Sequence, residues 1–263
     1  MLDDIFNSVI LFLTGLGSGI FVSIASGTAF VIIVPIFILI SGLSLYQVIG
    51  TNLVIDCIIG GVAGIFFLYR KRIRFKPIIY LGSTGIISAV IGTRFSRLPS
   101  ESHLTILIGI ILIILGLNFI INGVRKNIDF IQKRVKFILL IKYEKSGLIL
   151  LGIIIGFICG IIGIGSSGII AIILVLVYSY DLHTGIGTSL LAMFFIAGAG
   201  AVGQTLNNNV VTEPLIYAGF GALIGSAIGA FFSNKVNENR LGRIIGVLIT
   251  ILGIIMIYKL FYL

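Results

Sequence analysis

Residues 148–178 read LILLGIIIGFICGIIGIGSSGIIAIILVLVY, a stretch of 31 residues without a single charge. A bilayer's hydrocarbon needs only about 20 apolar residues for one crossing. Near the centre lies Gly163-Ile164-Gly165-Ser166-Ser167-Gly168, a run of residues that weakens a continuous helix. Residues 10–40 repeat the pattern more faintly, with Ser23-Ile24-Ala25-Ser26-Gly27-Thr28 at their centre. The stretch is thus either one long tilted helix or two shorter ones broken at the Gly/Ser cluster.

The rest of the chain agrees with a bilayer as solvent. Of 263 residues, 58% are hydrophobic and 10% charged, with a mean hydropathy of +1.23. So few charges could not cover a soluble surface, and so hydrophobic a chain does not stay disordered. A transmembrane barrel would alternate polar and apolar residues in short segments. The expectation is an all-α polytopic membrane protein.

Eighteen Lys and Arg face nine Asp and Glu. Five of the basic residues lie in 70–76 and seven in 125–145, which reads as topology-setting charge on the cytoplasmic side. No aromatic-interleaved basic patch or nucleic-acid motif is present. Cys57 and Cys159 fall within apolar runs and read as buried thiols. His103 and His183 stand alone, so no metal and no cofactor is expected. The acidic start, Met1-Leu2-Asp3-Asp4, lacks the basic region of a signal peptide, and the first apolar segment is expected to be retained.

The chain reads as two copies of one unit. Gly50-Thr51-Asn52-Leu53 returns as Gly187-Thr188-Ser189-Leu190, 137 residues later, and the shift persists through Pro77 and Pro214, Tyr80 and Tyr217, Gly92 and Gly229, and Gly116 and Gly253. Gly15, Gly19 and Gly27 match Gly156, Gly160 and Gly168 at a shift of 141, the difference being placed in the loops before Leu45 and Leu182. The organisation expected is a first transmembrane repeat over 1–124, a basic cytoplasmic linker over 125–145 and a second repeat over 146–263. In each repeat the Gly-rich first segment precedes three helices: 46–69, one from Pro77 and 102–122, then 183–206, one from Pro214 and 239–260.

A single tilted first helix makes four crossings per unit and parallel repeats. A broken hairpin makes an odd net number and inverted repeats. Parallel repeats place 13 basic residues inside and five outside, whereas inverted repeats place 15 inside and three outside. Positive charge therefore favours inversion, which also accounts for the lack of Lys or Arg in 207–213, the counterpart of 70–76.

On these residues the chain resembles the TauE/SafE (sulfite exporter, TSUP) permeases. The resemblance rests on the Gly/Ser cluster opening each repeat, the apolar run reaching Pro35, Gly50-Thr51-Asn52 and Gly187-Thr188-Ser189, and the basic central linker. Where that family carries a Gly-Gly-Gly-type cluster, this chain has Ser166-Ser167-Gly168 and Ala25-Ser26-Gly27. The resemblance implies a plasma-membrane permease for small anions, often sulfur oxyanions such as sulfite or organosulfonates, with proton coupling.

Small residues let helices approach closely in lipid, but Gly-x-Gly-Ser-Ser-Gly holds more hydroxyls than packing needs. A helix broken inside the membrane frees N–H groups and aims its N-terminus at an anion. The substrate-binding candidates are accordingly Ser26, Thr28, Gly165, Ser166 and Ser167. Thr51, Asn52, Thr188 and Ser189 are added as N-cap residues whose helix ends meet at the site. Asp56 is the one carboxylate inside an apolar run. Burying it charged costs about 2.5–3.5 kcal/mol on the insertion scale, which marks it as functional and suits it to carrying a proton. It shares a helix face with Asn52, and its counterpart is Met193. Gln204 reads as interfacial beside Asn207-Asn208-Asn209, and Arg94 as snorkelling.

The function expected is a secondary transporter for a small anion, with the lipid bilayer, the anion and protons as partners and the oligomeric state open. No Walker A motif or catalytic constellation is present, so neither an ATP-driven pump nor an enzyme is expected. The alternative is a membrane scaffold or assembly factor.

Overall fold

The computed structural model describes residues 2–96, 100–134, 144–233, 243, 246–248, 250–255 and 257–258. The described residues form helices and connecting turns, with no strand. The helices are α1 (Leu2–Ala25), α2 (Phe30–Ile40), α3 (Leu45–Tyr69), α4 (Phe75–Arg94), α5 (Glu101–Arg134), α6 (Glu144–Ile162), α7 (Ser167–Leu176), α8 (Leu182–Leu206), α9 (Thr212–Phe232) and α10 (Gly246–Ile255). Seven of them, all but α2, α7 and α10, contain a segment long and apolar enough to cross a membrane.

Both long apolar stretches are broken where the Gly/Ser clusters lie. α1 stops at Ala25 and Ser26 takes φ 51°; α6 stops at Ile162 and Gly163 takes φ 73°. The positive φ turns the chain out of the helix. The single tilted helix is thereby excluded. α2 and α7, of 11 and 10 residues, are each too short to cross.

α3 and α8 start one residue before the expected 46 and 183, because each has a side-chain cap. Ser44 accepts the Gln47 N–H, while the Gln47 side chain accepts the Ser44 N–H (3.1 Å), closing a capping box. Asp181 accepts the Thr184 N–H at 3.0 Å. Partial burial works to raise the Asp181 pKa, but its Thr184 contacts and nearby Arg72 outweigh this and hold the carboxyl below its usual range. The helix expected from Pro77 begins at Phe75, with the proline in its first turn. α5 continues past residue 122 to Arg134, so 125–134 of the expected linker are helical, while 135–143 lie outside the described residues.

Small residues set the packing. α1 and α9 run parallel: Gly221 meets Phe12 and Leu16, Gly225 meets Leu16, and Gly229 meets Ile20 and Ser23. α4 and α6 also run parallel, with Gly152 against Leu81 and Thr84, Gly156 against Gly85 and Ser88, and Gly160 against Ala89 and Thr93. α3 and α8 run antiparallel: Leu53 lies by Gly200, Gly60 by Leu190 and Phe194, and Phe67 by Gly187. Helix backbones touch at these glycines, where dispersion replaces the absent hydrophobic drive.

Helix limits and contacts recur at one shift of 137. It carries Ala25 to Ile162, Phe30 to Ser167 and Leu45 to Leu182, and the Gly15–Ala218 contact to Gly152–Leu81. The shift of 141 expected for the first stretches is therefore corrected: Gly15 corresponds to Gly152, and Gly19 to Gly156. Glycines spaced every four residues slide onto one another by one turn, which makes the two shifts indistinguishable by glycine matching.

The basic loop 70–74 joins the halves. Arg70 donates to the Ala230 and Phe231 carbonyls (2.9 and 3.0 Å), Arg72 pairs with Asp181 (3.4 Å) and Lys76 with Glu144 (2.5 Å). A guanidinium on the last carbonyls of α9 complements the helix dipole.

A Cβ on Gly225 would strike the Leu16 carbonyl, whereas one on Gly17 meets nothing within 4 Å. Gly225→Val is expected to lower the thermal midpoint in detergent by several degrees or to abolish the folded, monodisperse fraction. Gly17→Ala should leave the midpoint within about 2 °C of wild type, in keeping with alanine's helix propensity.

Candidate functional site

The breaks bring four segments together: the α1–α2 and α6–α7 turns, the third and fourth turns of α3, and the third turn of α8. Asp56 is fully buried at their junction. Its Oδ1 accepts the Ala29 N–H at 2.9 Å. Its Oδ2 accepts the Thr28 hydroxyl and the Asn52 amide, each at 3.0 Å. Asn52 uses its other N–H on the Gly163 carbonyl, at 2.9 Å. Thr28 Oγ1 in turn accepts the Gly165 N–H at 2.9 Å and the Phe30 N–H at 3.1 Å. Asp56 therefore caps α2 from another helix, and through Thr28 it is tied to the turn before α7.

A second group of hydroxyls completes the cluster. Ser26 and Ser189 share a 2.7 Å hydrogen bond, Ser26 also reaches the Ser167 carbonyl at 3.3 Å, and Ser167 donates to the Gly27 carbonyl. Five buried side-chain polar atoms among the described residues have no hydrogen-bond partner, those of Ser18, Ser23, Ser41, Asn52 and Ser166, and two of them, Ser166 Oγ and Asn52 Oδ1, belong to the cluster. The cluster residues named here include no Lys or Arg. The middle of the antiparallel α3–α8 register falls near Gly60, about 6 Å along the axis from Asp56 at 1.5 Å per residue.

Eight of the ten candidates are thus assembled: Ser26, Thr28, Asn52, Asp56, Gly165, Ser166, Ser167 and Ser189. Thr51 and Thr188 are buried but point elsewhere. Thr51 donates to the Gln47 carbonyl (2.8 Å) and accepts the Val211 N–H (3.1 Å), and Thr188 accepts the Arg74 N–H (3.0 Å). These are equivalent contacts, since the shift of 137 carries Thr51 to Thr188 and Arg74 to Val211. Both threonines pin the turn after the partner half's long helix. The expected N-cap role is corrected, because the helices begin at Leu45 and Leu182, under caps from Ser44 and Asp181.

Gln204 is fully buried rather than interfacial. It donates to the Gly160 carbonyl at 3.1 Å and accepts from Asn209 at 2.7 Å. Arg94 is exposed. Cys57 and Cys159 are free thiols. Ala29 is the contributor that sequence reasoning missed. It acts through its backbone N–H, which no residue type advertises; the signal available was Asp56 itself, a buried acid that needs donors.

A model of the sulfite exporter TauE/SafE family matches residues 11–256. The chain belongs to that family of membrane transporters. Among curated proteins it is 31% identical over 117 residues to a probable membrane transporter protein, YdhB, of Bacillus subtilis (strain 168), covering 44% of this chain and 47% of that one. It is 22% identical over 268 residues to a second probable membrane transporter protein of that organism, YunE, covering 95% of this chain and 97% of that one. No solved structure matches the chain.

The cluster's bonds carry unequal weight. Asn52→Ala strands the Gly163 carbonyl inside the protein and removes a donor from Asp56, a loss of about 1–3 kcal/mol per orphaned buried group. Ser189→Ala leaves Ser26 with the Ser167 carbonyl. Thermal unfolding in detergent is expected to be lowered clearly more by Asn52→Ala than by Ser189→Ala.

Proposed function

We propose that the protein is a secondary transporter of the plasma membrane that moves a small anion, a sulfur oxyanion or an organosulfonate, through the cluster around Asp56, with that carboxyl exchanging a proton. The observation that carries the reading is the meeting of two broken helices at one buried carboxyl. The family's description as sulfite exporters supports the substrate class.

Two inverted repeats, over 1–124 and 146–263, fit this reading best. The antiparallel course of α3 and α8 supports inversion, since equivalent helices of parallel repeats run the same way. The position of Asp56 near the middle of that pair supports a site at the bilayer midplane. The charge asymmetry supports placing linker 125–145 in the cytoplasm and the C-terminus outside. In such an arrangement, rocking one half against the other exposes the site to each side in turn.

Proton coupling follows from electrostatics. An anion beside Asp56 and an ionised carboxyl repel each other in a medium of low dielectric. The anion therefore binds best once the carboxyl carries a proton, and by linkage each favours the other. The Thr28 hydroxyl connects them, because it donates to Asp56 while accepting from Gly165.

Proteoliposomes loaded with labelled sulfite, an alkylsulfonate or sulfate test the proposal. Saturable flux of at least one of these is expected, accelerated by a proton gradient in the same direction. Asp56→Asn should abolish that acceleration, and unchanged coupling in the variant would remove the role given to Asp56. No flux with any of the anions would favour the scaffold reading. A C-terminal phosphatase fusion is expected to be active and a fluorescent fusion dark; the reverse would overturn inversion.

A further inference from the structure

The two half-helices that meet at the cluster end differently. At α2, the Ala29 N–H donates to Asp56 Oδ1, so a built-in carboxyl holds the helix N-terminus. At α7, the N-cap residue is Ser166, and no side chain caps the helix. The Ser166 hydroxyl is completely buried and lacks any hydrogen-bond partner. A buried hydroxyl left unpaired costs free energy, and this one sits at the positive end of a helix.

The missing cap has a definite origin. Asp56 stands one turn after Asn52 on α3. Its counterpart, Met193, stands one turn after Ser189 on α8 and is fully buried. Ser189 already lies in the cluster through Ser26, which reaches the Ser167 carbonyl. The helix position that carries the carboxyl capping α2 therefore carries a thioether in the half that contains α7.

We infer that the start of α7, Gly165 to Gly168 with the Ser166 hydroxyl as donor, is the single exchangeable anion seat, and that the Asp56 carboxyl is a built-in occupant of the matching seat at α2. The inference rests on the transporter reading above and deepens it. The seat offers the Ser166 hydroxyl and the backbone amides that open α7, the Gly165 N–H being held by Thr28 Oγ1, and no full positive charge. It therefore suits a compact, singly charged oxyanion, for which the proton on Asp56 supplies the balancing charge. A dianion would bring a second charge that nothing in the cluster neutralises. Gly165 is part of the design, because a Cβ there would strike Asp56 Oδ2 and come within 2.7 Å of Thr28 Oγ1.

Sulfite flux in proteoliposomes and calorimetric titration of the purified protein with sulfite test the assignment. Wild type is expected to bind one anion per chain. Ser166→Ala should raise the KM for sulfite roughly 10- to 100-fold, the loss of one hydrogen bond to a charged group, with the maximal rate much less affected. Met193→Asp supplies the missing carboxylate and should abolish saturable flux. Met193→Asn, of similar shape and uncharged, should keep the KM within about threefold of wild type and shows that the site tolerates a polar residue there. Two anions per chain, or a wild-type KM in both Ser166→Ala and Met193→Asp, would overturn the single seat while leaving the transporter reading intact. Absence of sulfite, sulfonate and sulfate flux in the wild type would instead overturn the transporter reading and the seat with it.

Discussion

Hydrocarbon supplies no hydrogen bonds, so each backbone group freed inside a membrane protein must be satisfied by the protein itself. The breaks after Ala25 and Ile162 free such groups at two places, and much of the site is the answer to them. Asp56 takes the Ala29 N–H, Asn52 takes the Gly163 carbonyl, and Thr28 takes the N–H groups of Phe30 and Gly165. A single side chain of α3 thus holds each broken segment. Without these bonds the turns would need water or would straighten into helix.

The same constraint explains why the two halves depend on each other. Asn52 of the first half closes the break of the second, and Ser189 of the second bonds Ser26 of the first. Thr51 and Thr188 do the same for the turns near Val211 and Arg74. The glycine and alanine rows of the parallel pairs α1–α9 and α4–α6 bring backbones into contact between halves. Each half completes the other's polar groups, and the helices that pack most closely belong to different halves.

Much of this was legible from residue types. The excess length and Gly/Ser content of 148–178 marked where a break could fall, and a lone acid among Ile, Val and Leu marked a buried carboxyl that needs donors. Other parts were not legible for physical reasons. A ladder of glycines every four residues looks alike after a one-turn slip, so the true shift of 137 in the first helices was masked. Thr, Asn and Ser serve equally as caps and as mid-helix residues bonded back to the preceding turn, and only the Ser44–Gln47 box and Asp181 settle where α3 and α8 begin. Gln204 next to three asparagines looks interfacial until the Gly160 carbonyl is placed beside it.

The sequence by itself determined the solvent, the helical class and where a break could fall, because hydropathy, charge content and glycine clustering are local properties that a bilayer reads directly. It also determined that one half carries Asp56 and the other Met193. Tertiary structure decided what those differences mean. Only the packing of α3 against the first turn of α2 makes Asp56 a helix cap, and only the α6–α7 turn leaves Ser166 buried without a partner. Those relations join residues more than 20 positions apart, and no local pattern in the chain encodes the distances between them.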